Sequence, residues 1–97
     1  MPSYLSMGKW TDQGMKNIKQ SPARLDAVKA AAKEAGGRVV FFYMTMGEYD
    51  FAVLWELPND EVASRLLLSA SMQGNVRSTT MKAFTEDEYR KVIGSLP

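Results

Sequence analysis

The chain has 97 residues, 45% of them hydrophobic and 24% charged, with 12 basic against 11 acidic side chains, the makeup of one globular domain, 1–97, with no room for a second core. A net charge of +1 gives no long-range pull toward nucleic acid or an anionic membrane. Cysteine and histidine are both absent, which excludes disulfides, thiolate chemistry, zinc–sulfur sites, a histidine-held haem and the side chain that most readily shuttles protons near neutral pH.

Tyr4–Thr11 reads as a first strand, with Leu5 and Met7 on one face and Tyr4, Ser6, Gly8 and Trp10 on the other. Asp12, Gln13 and Gly14 form a turn-like cluster, and Met15–Gln20 fits either one helical turn or an irregular loop. Ser21-Pro22 predicts a helix start, with serine as N-cap and proline at the first helical position. Leu25, Val28, Ala32 and Ala35 then make one apolar stripe, and Gly36-Gly37 ends the helix. Arg38–Met46 and Tyr49–Leu57 are rich in β-branched and aromatic residues and predict the second and third strands. Gly47-Glu48 joins them as a two-residue hairpin loop, with glycine at positive φ. Asn59 is the expected N-cap of a second helix whose inward stripe is Val62, Leu66 and Ala70, flanked by Ala63 and Leu67 and closed by Gly74. Asn75–Phe84 is the fourth strand. Thr85-Glu86-Asp87-Glu88 is a capping box that opens a last short helix ending near Ile93 and Gly94.

The order β-α-β-β-α-β plus a terminal helix predicts an α+β, ferredoxin-like domain: a four-stranded sheet with two helices on one face and the other face bare. With the loop at Gly47-Glu48, Met46 pairs with Tyr49, Met44 with Phe51, Phe42 with Val53 and Val40 with Trp55. This wholly apolar side is assigned to the helices. The opposite side carries Val39, Phe41, Tyr43 and Thr45 against Asp50, Ala52, Leu54 and Glu56, joined by Ser6, Trp10, Ser78, Thr80 and Lys82 from the first and fourth strands. A slip of one residue exchanges the faces. A surface with Phe41, Tyr43, Leu54 and Trp10 is too apolar for open water and marks an interface, and a chain this short buries only about 60–65% of its unfolded surface. The expected partner is a second copy, in a homodimer or higher homo-oligomer.

The stretches "MGEYDFAVLWELPNDE" (46–61) and "QGNVRSTTMKAFTEDE" (73–88), with "TDQGMKNIKQSPAR" (11–24), resemble the GYD domain family. The glycine, tyrosine and aspartate of its signature stand here as Gly47, Tyr49 and Asp50, with one residue inserted after the glycine. The resemblance covers nearly the whole chain and implies a domain of the dimeric α+β barrel kind, commonly paired sheet to sheet across subunits. It implies no reaction.

Asp50 is the residue of the signature whose presence asks for a reason, because aspartate is unfavourable in strands and a buried carboxylate needs a partner. Lys82 on the same predicted face is one candidate, and Arg77 or Arg38 of a neighbouring copy are others. Trp10, Tyr43, Asp50 and Lys82 form the expected ligand-binding set, against the plainer reading that Gly47-Glu48 turns the chain, Tyr49 packs and the aromatic residues are core or interface. Asp50 and Glu56 lie about 20 Å apart along one strand and cannot act as a paired acid and base within one chain. Lys16, Lys19 and Arg24 read as a solvated basic surface, with a phosphate or carboxylate site at the Ser21 cap as the alternative. Met15, Met44, Met46, Met72 and Met81 read as gap-filling hydrophobes.

No catalytic residue, metal or cofactor is identifiable. The chain shows no apolar run of the roughly 20 residues that span a bilayer and no leader, so a cytoplasmic location is expected. The reading that follows is a small oligomeric α+β module that binds a small ligand or regulates, assembled through its helix-free face. The alternative is a cofactor-independent oxygenase or isomerase acting on a small aromatic or apolar molecule in a pocket lined by Trp10, Tyr43 and Asp50. RNA binding is disfavoured, since "EYDFAVLWE" (48–56) lacks the glycine and basic signature of the RNA-recognition motifs that share this element order.

Overall fold

A computed structural model describes residues 1–97 and contains β1 (Ser3–Trp10), α1 (Asp12–Lys16), a 3-10 turn (Ile18–Gln20), α2 (Ser21–Glu34), β2 (Arg38–Met44), β3 (Phe51–Glu56), α3 (Asp60–Ser71), β4 (Val76–Ala83) and α4 (Glu86–Gly94). The strands form one sheet in the order β2-β3-β1-β4, every neighbouring pair antiparallel, with α2 and α3 on one face. This is the α+β ferredoxin-like arrangement expected from the element order. No helix is long and apolar enough to cross a membrane.

The caps explain where most helices begin. Asn59 Oδ1 accepts from the Val62 amide at 2.9 Å, and Thr85 and Glu88 exchange the reciprocal bonds of a capping box. Two expectations at the first crossover are corrected. The Asp12–Gly14 cluster is not a turn but the start of α1, because Thr11 caps it by accepting from the Gly14 amide. Thr11 and Gln13 also bond to the α3–β4 turn at Gly74, Gln73 and Asn75, which pins α1 in place. Ser21 is not an N-cap: the 3-10 turn runs straight into α2, so Ser21 already has helical φ and ψ and its hydroxyl caps nothing.

The β2–β3 connection is a six-residue loop, 45–50, closed by the Thr45 amide donating to the Asp50 carbonyl at 2.8 Å, rather than a two-residue turn. Gly47 does take positive φ, 126°. Met44 pairs with Phe51 and Phe42 with Val53 as expected, but a bulge between Val39 and Phe41 puts Val39, not Val40, opposite Trp55. The extra residue re-aims the strand end, so Val39 joins the helix side while Phe41 and Tyr43 stay on the bare side.

The larger correction concerns β1 and β4. Residues directly opposite in a ladder share a face, and β1 pairs Tyr4 with Trp55, Ser6 with Val53 and Gly8 with Phe51. Ser6, Trp10, Ser78, Thr80 and Lys82 therefore lie on the helix side, not on the bare side. Two features decide this. Gly8 lets the Phe51 ring lie across the strand where any Cβ would collide with it. Ser6, although fully buried, is tolerated there because it accepts from Trp55 Nε1 at 2.9 Å and shares a 2.7 Å bond with Thr80. The core is Tyr4, Phe51, Val53, Trp55 and Leu57 of the sheet and its margin, closed by Ala32 of α2 and Ala63 of α3. The bare side carries Leu5, Met7, Phe41, Tyr43, Ala52, Leu54 and Met81.

Helix α4 stands off the body. It packs on no other element to any extent, and Tyr89, Val92 and Ile93 are at least half exposed. The molecule is correspondingly elongated, 52 × 31 × 18 Å.

Candidate functional site

Three places carry chemistry: the signature loop, a cleft beneath the helices and one end of the sheet.

At the loop, the Asp50 amide donates to the Gly8 carbonyl at 2.8 Å, and Asp50 Oδ2 accepts from the Trp10 amide at 3.0 Å. Thr45 Oγ1 donates to the Tyr49 carbonyl at 2.6 Å, and Lys9 Nζ lies 5.5 Å from the Tyr49 ring centroid. The β1–β3 ladder ends at Gly8 and Phe51, and beyond it the Asp50 carboxylate takes the place of a backbone acceptor for Trp10. The signature is thus a clamp between the loop and the end of β1. The clamp fixes Trp10, whose ring packs on Phe51 at a centroid distance of 5.6 Å.

The second place is a cleft of about 230 Å³ between α2, α3 and the sheet. Trp10, Phe42, Phe51 and Trp55 form its floor, and Val28, Ala31, Leu66 and Leu67 form its helical walls. The small residues of α2 and α3 leave this space, since the two helices make little contact with each other. Its only charged lining residue is Arg24. Arg24 Nη1 donates to the Asn17 carbonyl at 3.1 Å, while Nη2 is buried without a hydrogen-bond partner. Serines and amides, among them Ser21, Ser71, Gln73 and Asn75, supply the remaining polar lining.

At the end of the sheet, the Tyr4 hydroxyl donates to Asp60 Oδ1, which also pairs with Lys82 Nζ at 3.4 Å. Burial, then the bond to Asp60 and its charge, push the Tyr4 hydroxyl up to about 12. The Tyr4 hydroxyl first and Lys82 second hold the Asp60 carboxyl below its ordinary value. The geometry is that of a tie between β1, β4 and the start of α3.

The four residues expected to bind a ligand are not brought together. Trp10 lines the cleft. Tyr43 is 63% exposed on the opposite face, its ring tilted against Phe41 at a centroid distance of 5.1 Å. Asp50 is engaged with the Trp10 amide, and Lys82 is engaged at the sheet end. The cleft that Trp10 lines does not include Tyr43, because the two lie on opposite sides of the sheet. The basic trio also separates: Lys16 and Lys19 are exposed, while Arg24 turns partly inward and lines the cleft. The sequence signal for Arg24 was its place in the stripe, one residue before Leu25 and four before Val28. Its closeness to two exposed lysines hid that signal.

The chain matches the family model of the GYD domain over residues 4–93. It is 29% identical over 84 residues to the "Glutamine synthetase and cystathionine beta-lyase binding protein" of Thermus thermophilus, covering 86% of this chain and 88% of that one. Among solved structures it is similar to the feast or famine regulatory protein of M. tuberculosis complexed with L-methionine, with a TM-score of 0.66 and 19% identity over 88% of this chain. The chain spans about half the length of that regulator, 51%. A second structure, also from Thermus thermophilus, has a TM-score of 0.54 and 21% identity, covering 88% of this chain and 95% of that one. These two likenesses are likenesses of fold.

Proposed function

Because the chain belongs to the GYD domain family, with relatives named for binding and for regulation, we propose that it is a small-ligand-binding regulatory module assembled with copies of itself through the helix-free face of its sheet. The observation that carries this is the bare face. Leu5, Met7, Phe41, Tyr43, Leu54 and Met81 share it; Leu5, Met7, Phe41 and Leu54 are partly exposed, and Tyr43 and Met81 are 63% and 46% exposed. A contiguous apolar surface of this kind is rare on a monomer. A sheet laid on it approaches the roughly 800 Å² per partner of a stable interface. Arg38, Glu56, Lys9 and Arg77 ring the apolar centre, the polar rim that fixes orientation. The name of the Thermus relative attaches it to two enzymes. The reading carried to this chain is of the same kind: a module that holds a small molecule and meets other protein chains.

Sedimentation velocity at micromolar concentration tests the assembly. The expected mass is at least twice that of the chain, and Tyr43→Lys, which puts a charge on the most exposed aromatic residue of the apolar face, converts it to monomer without loss of secondary structure. A wild-type monomer at that concentration overturns the reading.

A further inference from the structure

We propose that the cleft between α2, α3 and the sheet binds a small carboxylate with an apolar body about the size of one ring, and that Arg24 is the group that holds the carboxylate. The inference rests on the small-ligand part of the function proposed above and not on its assembly part, because the cleft and the bare face lie on opposite sides of the sheet.

Three observations converge. The first is the state of Arg24. A guanidinium offers five donors in a planar fork that matches a carboxylate. Here one terminal nitrogen donates to the Asn17 carbonyl and the other is buried with nothing to bond. No carboxylate of the chain lies within ion-pair distance of Arg24, although Arg38, Arg65 and Arg90 each have one. An unmade bond on a buried charged donor is more costly than one on a neutral group, so the cleft is left complementary to an anion.

The second is that no acidic residue lines the cleft, and its floor is aromatic. The charge preference is therefore uncontested, and the remainder of the ligand is apolar. The third is size. An apolar cavity of about 150 Å³ takes benzene, so a cleft of about 230 Å³ admits a ring plus a short acid-bearing arm. The signature clamp enters here as well. Asp50 fixes the Trp10 backbone, and Trp10 with Phe51 makes the end of the aromatic floor, so Asp50 is a positioning residue for this site.

Both tryptophans of the chain, Trp10 and Trp55, line the cleft, so intrinsic fluorescence reports its occupancy. The experiment titrates the full chain with 3-phenylpropionate, with its uncharged amide and with inorganic phosphate. The acid is expected to give a saturable change, the amide to bind more weakly and phosphate to give none. Arg24→Gln is expected to weaken the acid about ten- to a hundredfold, the loss of a charge-assisted pair, and to leave the amide unchanged. Arg24→Lys falls between. If Arg24→Gln does not fold, Ala31→Leu on the cleft wall serves instead and is expected to abolish binding of the acid. The proposal is overturned if the acid gives no saturable change up to about 10 mM, if phosphate matches it, or if the variant that folds binds it as tightly as the wild type. Sedimentation of the same samples separates the two readings: a monomer that still binds the acid through Arg24 overturns the assembly alone.

Discussion

The two faces of the sheet are made of the same strands and treated in opposite ways. On the helix side Tyr4, Phe51, Val53 and Trp55 are at most 8% exposed. One residue away along the same strands, Leu5, Ala52 and Leu54 face the helix-free side and are only partly buried. The difference lies not in hydrophobicity but in what the helices reach. Helices α2 and α3 cover one side, and even there their small residues leave a cleft; α4, the one element free to cover the other side, stands away from it. The lesson is that an apolar strand residue reports that something covers it and does not report what. Covering by the chain's own helices yields concentration-independent stability, and covering by a second copy yields stability that rises with concentration.

Trp55→Ala and Leu54→Ala, at neighbouring positions on opposite faces, break that comparison most sharply. Trp55→Ala removes a fully packed indole and its bond to Ser6 and is expected to cost about 3–5 kcal/mol, the same at every protein concentration. Leu54→Ala is expected to destabilise the assembled protein in a concentration-dependent way and to do little to a chain already made monomeric by Tyr43→Lys. Urea unfolding at two concentrations tenfold apart checks both. Equal concentration dependence for the two variants breaks the comparison.

Gly8→Ala comes next. The new methyl collides with the buried Phe51 ring, and overpacking of this kind costs about 1–3 kcal/mol. Because Phe51 is also part of the cleft floor, near-ultraviolet circular dichroism is expected to change together with stability. The same substitution at Gly47, where an added Cβ meets nothing, costs only through its positive φ.

Most of the architecture was legible in the residues. Caps and helix stops are local, and Asn59, Thr85 with Glu88, Gly36 and Gly74 act where their chemistry says they should. What was not legible is long-range. The pattern of β1 points to the wrong face because Leu5 and Met7 are more apolar than Ser6 and Gly8. Only the paired strands reveal that Gly8 seats a ring and that Ser6 is bonded within the core. The bulge at Val40 is likewise a property of two strands together, not of β2. For the site, Trp10 was legible as an aromatic of interest, but its company was not, because Tyr43 shares the sheet and not the side. Arg24 was visible only as one member of a basic trio, since the burial of one of its guanidinium nitrogens depends on a neighbouring element.

Asp50→Ala sharpens the comparison at the seam between loop and sheet. It leaves the Trp10 amide without its side-chain acceptor and is expected to cost about 1–2 kcal/mol, the usual penalty for such an orphaned donor. Trp10 is tied to the cleft, so a shift in tryptophan emission is expected to accompany the loss. Destabilisation with unchanged emission separates the clamp from the floor and removes the positioning role of Asp50.

The smallest effect belongs to the sheet end. The Tyr4 hydroxyl is pushed up to about 12 from 10.0, so the native state keeps a proton that the unfolded chain releases between those values. Where the unfolded chain binds fewer protons, stability falls as pH rises; the Tyr4 contribution is present below pH 10 and is lost on the way to about 12. Asp60 works in the other direction. Its folded value is depressed by Tyr4 and Lys82, so its contribution is present above the ordinary carboxylate value of 3.8 and is lost as pH falls below it. Tyr4→Phe removes the hydroxyl that links the two groups. The difference between wild-type and variant melting temperatures is therefore expected to be constant between about pH 5 and 9 and to shrink at both extremes. Parallel wild-type and Tyr4→Phe profiles across the whole range would mean that Tyr4 and Asp60 are neighbours without energetic coupling, and that packing alone holds this end of the sheet.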